Sequence, residues 1–314
     1  MTRFKKALLM ALMIASSTTI KSALAATAAT KIPVVASFSI LSDIVSNIGG
    51  DRVVVSTLVG PDQDAHVFAP TPKDVRTLAQ AKVVVVNGLG FEGWIARLSD
   101  AANYKGALVI ASDGIHPRQR EESGDTHSHD SPDNHSATHP DPHAWQDPTN
   151  VMVYTRNIVA ALSKVDPAGA AVYKKNGDDY TRSLVELDSW AQAQFAKIPD
   201  ARRNVITSHD AFGYFGAHFK VRFLAPQGVS TESEPSAKDV AMLIRQIRQE
   251  NSKAIFFENM SNPKLLQQIS NEVGVTPGGK LYADALSQAN GDAPTYIRMM
   301  RFNVSQIMGR LQQK

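Results

Sequence analysis

From position 31 onward, short runs of β-branched residues alternate with stretches of helical periodicity, and this alternation restricts the possible folds more than any other property of the chain. Residues 33–37, 53–58, 83–87 and 107–111 read as strands, with a helical segment at 40–48 and another pattern around 94–98. Strands that alternate with helices form a mostly parallel sheet covered on both faces. Ligands of such sheets sit where strands end and loops begin. After Pro199 the alternation resumes, with strands at 205–207, 221–225, 254–258 and near 280–283 and helices at 210–219, 235–250, 263–273 and 295–311.

Between the two series lies one long helical pattern. Asp166-Pro167 is a start signal and Ile198-Pro199 a stop. Tyr173, Gly177, Tyr180, Leu184, Leu187, Ala191, Phe195 and Ile198 fall three or four apart, giving a single apolar stripe on a helix of roughly 45 Å. The spacing predicts a stiff connector over 166–199, bent or weakened at Gly177. It would join an N-terminal lobe, 26–165, to a C-terminal lobe, 200–314. The expected fold is α/β, two similar halves facing a binding cleft.

Arg3, Lys5 and Lys6 precede an apolar run from Ala7 to Ile14 and the small residues Ala23-Leu24-Ala25, the pattern of a secretory signal peptide over residues 1–25. Without these residues, 29 basic side chains face 30 acidic ones, so the net charge of +3 gives no argument for nucleic acid or an anionic membrane. There are no cysteines. Thiolate metal sites and a lipid-modified cysteine are thereby excluded, and the expected location is the periplasm, as a soluble monomer held together by its core.

Residues 125–147, DTHSHDSPDNHSATHPDPHAWQD, hold five of the nine histidines and five aspartates with no Lys or Arg. Imidazole nitrogen and carboxylate oxygen are ligands for divalent ions. The first part, within the His-rich loop 116–140, has no apolar periodicity and reads as a loop in which His127, His129, His135 and His139 bind metal weakly. Then Asp141-Pro142-His143-Ala144-Trp145 turns rigid and aromatic, which fixes His143 in the fold. A tag or solvated linker is the plainer reading of the loop, but tags are uninterrupted His runs.

Three other residues sit in loops at strand ends. They are His66 after the second strand, His209 in Thr207-Ser208-His209-Asp210, and Asp284 in Ala283-Asp284-Ala285. Alone, a loop histidine is more often structural, and Asp284 reads first as a helix cap. Together with His143 they stand two before the connector and two after it. Closure of the cleft could bring three imidazoles and a carboxylate together as a tetrahedral zinc shell.

The segments GPDQDAHVFAPTPKD, NGLGFEGW, DPHAWQDP, ITSHDAFGYFG and LYADALS resemble those of the zinc-specific solute-binding proteins of bacterial ABC importers, the ZnuA-like branch of the cluster A-I family. The resemblance implies two Rossmann-like lobes joined by a long rigid helix. It also implies Zn²⁺ held between them by His66, His143, His209 and Asp284, and an inner-membrane ABC permease as partner; a periplasmic zinc donor could be a further one. Manganese-binding relatives carry a carboxylate where this chain has His209, and a third imidazole favours zinc. A manganese binder of the same family is the alternative.

Two enzyme readings compete. Gly88-Leu89-Gly90-Phe91-Glu92-Gly93 has the form of a dinucleotide fingerprint, but it does not follow the first strand. A zinc hydrolase lacks support because HExxH is absent and four protein ligands leave no open position for water. With Asp284 replaced by water that objection weakens. Glu232 and Glu234 fall near a cleft loop, and His218 reads as structural.

Overall fold

The computed structural model describes residues 30–121, 138–250 and 252–313. Its first half runs β1 (Ile32–Phe38), α1 (Ser39–Gly49), β2 (Val53–Val59), α2 (Pro72–Gln80), β3 (Val83–Val86), α3 (Ile95–Ala101) and β4 (Ala107–Ile110). The four strands pair in the order β2-β1-β3-β4, all parallel. Helix α1 forms because Ile40, Leu41, Ile44, Val45 and Ile48 share one face, and that face is buried. Helix α2 was not anticipated from the sequence. Its signal is Thr71-Pro72-Lys73-Asp74, a reciprocal cap with proline in the first turn. The expected cover on both faces is incomplete at the edge, where Leu108 and Ile110 of β4 are half exposed.

A short hairpin, β5 (Gln119–Glu121) and β6 (Thr138–Pro140), brackets the His-rich insertion, so the ends of the expected loop 116–140 are paired strands. His139 lies in β6 opposite Arg120, whereas His127, His129 and His135 fall outside the described residues. A 3-10 turn at Ala144–Gln146 leads into α4 (Pro148–Val165), and a second at Pro167–Gly169 into α5 (Ala170–Phe195).

The α-helical part of the connector therefore starts at Ala170, straight after that turn, and the Asp166 carboxylate ahead of it is held by the Arg52 guanidinium at 2.6 Å and the Tyr173 hydroxyl at 2.7 Å. Its buried stripe is Tyr173, Gly177, Tyr180, Leu184, Leu187, Ala191 and Phe195. At Gly177 a Cβ would lie 2.5 Å from Val159 Cγ2, so this glycine sets the close approach of α5 to α4.

The second half comprises β7 (Asn204–Ile206), α6 (Gly213–Phe219), β8 (Arg222–Leu224), α7 (Ala237–Glu250), β9 (Phe257–Glu258), α8 (Lys264–Val273), β10 (Lys280–Leu281) and α9 (Tyr296–Leu311). Ile206 N–H donates to the Ala254 carbonyl and Phe256 N–H to that of Ile206, which joins the parallel pairs β7–β8 and β9–β10. The order β8-β7-β9-β10 repeats that of the first sheet. Ile206, Leu243, Ile247, Ile255, Leu266 and Ile269 form its own apolar cluster.

Helix α9 returns to pack on α5 and α1. Its first amide, Tyr296 N–H, donates to Asp43 of α1 at 2.8 Å. Burial pushes the Asp43 carboxyl up to about 6, against hydrogen bonds from Tyr296 and Asn47 that lower it. The folded chain thus holds this proton more tightly than the unfolded chain, and stability is lost as pH rises from 3.8 through about 6. Asp43→Asn keeps an acceptor for Tyr296 and removes that loss. It is expected to stabilise the protein by about 1–2 kcal/mol at neutral pH, with no gain at pH about 3.5, in urea unfolding followed by circular dichroism.

Candidate metal centre

His66 follows β2 in a loop held to its own half by two contacts. The Trp94 indole N–H donates to the Ala65 carbonyl at 2.9 Å, and the Phe91 ring meets the imidazole edge-on at 4.8 Å. The His66 backbone N–H donates to Asp64 Oδ1 at 2.9 Å.

His143 repeats this arrangement. Asp141 Oδ1 accepts both the His143 backbone N–H at 3.0 Å and the ring Nδ1 at 2.8 Å. The side chains that follow explain the HAWQ motif. Trp145 Nε1 and Gln146 Nε2 both donate to the Ala283 carbonyl, at 2.9 and 2.8 Å, and so fasten His143 to the residue preceding Asp284.

His209 follows β7, and its partner is Glu258 at the end of β9. One Glu258 oxygen accepts the Ser208 and His209 amides at 2.8 and 3.0 Å, and the other takes His209 Nδ1. With Nδ1 fixed in this way, Nε2 is the free nitrogen of both His143 and His209.

Asp284 follows β10 and is fully buried. It caps no helix, since the next one begins at Tyr296. Its Oδ2 lies 3.3 Å from His66 Nε2 and 3.1 Å from His209 Nε2, and its Oδ1 lies 3.6 Å from His143 Nε2. Among the described residues these five atoms face only one another and have no partner outside the cluster. Buried polar atoms are normally satisfied by partners around them, so five that converge on one point with nothing but one another mark a place built for a cation. One ligand atom from each of the four residues lies within 4.8 Å of all the others. A tetrahedral ion with bonds of about 2.0–2.1 Å would space its donors about 3.3 Å apart.

The electrostatics have the same character. Burial lowers the His209 pKa, yet the Glu258 and Asp284 carboxylates outweigh it and hold the group well above the usual imidazole range. Burial likewise raises Asp284, and the charges of His209 and His143 reverse that, leaving it well below the usual carboxylate range.

The remaining candidates lie elsewhere. His218 sits between Asp188 at 2.6 Å and Asp147 at 3.4 Å, joining α6 to α5 and to the start of α4. Glu232 and Glu234 are exposed in the loop after β8. In the glycine-rich turn 88–93, Glu92 accepts from Ser37 Oγ and Asn87 N at 2.6 Å each and from Gly88 N at 3.1 Å. The Glu92 carboxyl, which burial pushes above the usual carboxylate range, therefore already takes the first amides of this turn.

Sequence reasoning missed the three carboxylates that orient the histidines. For two of them the signal is visible in Asp64-Ala65-His66 and Asp141-Pro142-His143, an acid two residues ahead of each candidate ligand. Glu258 carries no such signal, because only the pairing of β9 beside β7 brings it to His209.

Two α/β halves with parallel sheets, whose strand ends bring three imidazoles and a carboxylate to one buried point, define a divalent-metal-binding protein of the two-lobed kind. The profile of the family described as "ZnuA: Zinc-uptake complex component A periplasmic" matches residues 34–309, and the chain belongs to that family, whose members are solute-binding proteins of ABC importers and not enzymes. The manganese-binding lipoprotein MntA of Halalkalibacterium halodurans is 31% identical over 280 residues, covering 89% of this chain and 88% of its own. The iron-binding protein YfeA of Yersinia pestis is 31% identical over 284 residues, covering 89% and 86%. Among solved structures, the periplasmic zinc binding protein TroA from Treponema pallidum matches with a TM-score of 0.80 at 28% identity, over 90% of this chain and 100% of that one.

Proposed function

We propose that this protein captures Zn²⁺ in the periplasm, after removal of residues 1–25, and delivers it to an inner-membrane ABC permease. His66, His143 and His209 would bind through Nε2 and Asp284 through its carboxylate. The lobes 26–165 and 200–314, joined by the 166–199 connector, would supply two ligands each. The observation that carries this reading is the convergence of five buried donor atoms, with no partner outside their cluster, at one point between the ends of the two sheets.

Three nitrogens and one carboxylate suit a borderline ion such as zinc better than an oxygen-preferring one. Manganese is the second reading, and a specific observation favours it. Both Asp284 oxygens face the centre, so bidentate binding would raise the coordination number toward what manganese accepts. Dialysis of untagged, metal-stripped protein against equal Zn²⁺ and Mn²⁺, followed by elemental analysis, separates the two. One equivalent of zinc with no manganese is the expected result, and preferential manganese uptake would reverse the assignment.

Imidazoles must be unprotonated at the ligating nitrogen, so affinity is expected to fall as pH drops through about 6.5. His209 extends that competition upward. Although burial opposes it, the neighbouring Glu258 and Asp284 keep the metal-free ring protonated above the usual range, so affinity should go on rising beyond pH about 6.5. Competition with a fluorescent chelator from pH about 6 to about 8.5 measures the slope. A flat profile would contradict this set of ligands.

A further inference from the structure

The His66 loop is attached not only to its own half but also, at four points, to the strand-end loops of the other, the longest being Gln288 Nε2 to the Pro61 carbonyl at 3.4 Å. Asp64 Oδ2 accepts the Thr231 hydroxyl at 2.7 Å, and Asp62 Oδ1 accepts Asn259 Nδ2 at 2.9 Å. The third point is backbone, Asp62 N–H to the Leu286 carbonyl at 2.9 Å. Asp62 has φ +57, a left-handed conformation uncommon for a residue with a side chain and best tolerated by Asn and Asp.

These contacts connect directly to the metal-facing residues. The same Asp64 carboxylate that takes Thr231 also takes the His66 backbone N–H, at 2.9 Å. The same Asn259 amide that reaches Asp62 also donates to the Ala285 carbonyl, beside Asp284, at 3.2 Å. Asp141 and Glu258 spend their second contacts on the rings of His143 and His209. Asp64 instead spends its second oxygen on Thr231, in the opposite half.

We propose that Asp62 and Asp64 form a two-point clasp with Asn259 and Thr231, and that this clasp, by holding His66 against Asp284, sets the rate at which the bound metal leaves. The clasp residues are positioning residues and touch no metal. Breaking the clasp frees one ligand to swing away with its loop while the other three keep their carboxylate and carbonyl anchors. The inference rests on the proposed binding site, and its test distinguishes failure of either.

The test compares wild-type protein with Thr231→Val, Asn259→Ala and the double variant. Each is loaded with Zn²⁺ and mixed with an excess of a chromogenic chelator in a stopped-flow cell. Each single variant is expected to release metal about fivefold to tenfold faster, as loss of one partly exposed hydrogen bond implies, and the double variant faster still. Thr231→Ser, which restores the hydroxyl, should return release to the wild-type rate. Absorption of the Co²⁺-loaded variants should keep the wild-type ligand-field bands, showing that the same ligands remain. Release within twofold of wild type in the double variant would overturn the clasp, as would rates that Thr231→Ser fails to restore. Failure of the underlying site would show differently, as wild-type protein that holds no stoichiometric metal.

Discussion

His66→Ala is expected to lower metal affinity by well over a hundredfold, because the loss of even an outer partner of a metal ligand costs about 10–100-fold and this substitution removes a ligand itself. The fold should survive. The His66 ring contributes no hydrogen bond to the rest of the loop, which is anchored through Ala65 and Asp64. Removing the imidazole also relieves one of the nitrogens that have no partner outside the cluster. Urea unfolding of the metal-free variant should therefore lie close to wild type, while titration with zinc shows no tight phase. A tight phase of unchanged affinity would mean that the ion is held without His66.

A second large effect is expected at Glu258, which is buried and binds both the backbone and the ring of His209. Glu258→Ala leaves two amides and an imidazole without their acceptor, and breaking a buried pair of this kind costs about 3–5 kcal/mol. Glu258→Gln separates stability from binding. Its amide oxygen can still accept from Ser208 and His209, but its NH₂ group would face Nδ1 and make that nitrogen an acceptor. The proton would then move to Nε2, the atom required for the metal. Affinity should fall about 10–100-fold, with a smaller loss of stability than in Glu258→Ala. Isothermal titration and urea unfolding of the two variants measure both quantities. Unchanged affinity in Glu258→Gln would show that the tautomer plays no part.

The parts of this architecture that rest on local pattern were legible in the sequence. The stripe from Tyr173 to Phe195 is the buried face of α5, residue for residue, because 3.6-residue periodicity needs no knowledge of the partner helix. His66, His209 and Asp284 were recognisable as strand-end residues, and the structure places all three beside His143. What escaped depends on tertiary context. The first turn after Asp166 is a 3-10 turn before α5 begins at Ala170, and the contact of Asp166 with Arg52, far away in the chain, has no local signal. Glu258 escaped for the same reason, since only the pairing of β9 beside β7 brings it to His209, and Thr231 and Asn259 escaped because their contacts form only when the two sheets face each other. Gly177 was read as a weak point, whereas it makes room for Val159.

A crystal structure of the metal-loaded protein, with diffraction collected on both sides of the zinc absorption edge, bears most directly on the central claim. The account predicts one anomalous peak lying about 2.0–2.2 Å from Nε2 of His66, His143 and His209 and from an Asp284 oxygen. A peak that lacks any one of the three imidazoles, or that sits away from Asp284, would contradict it.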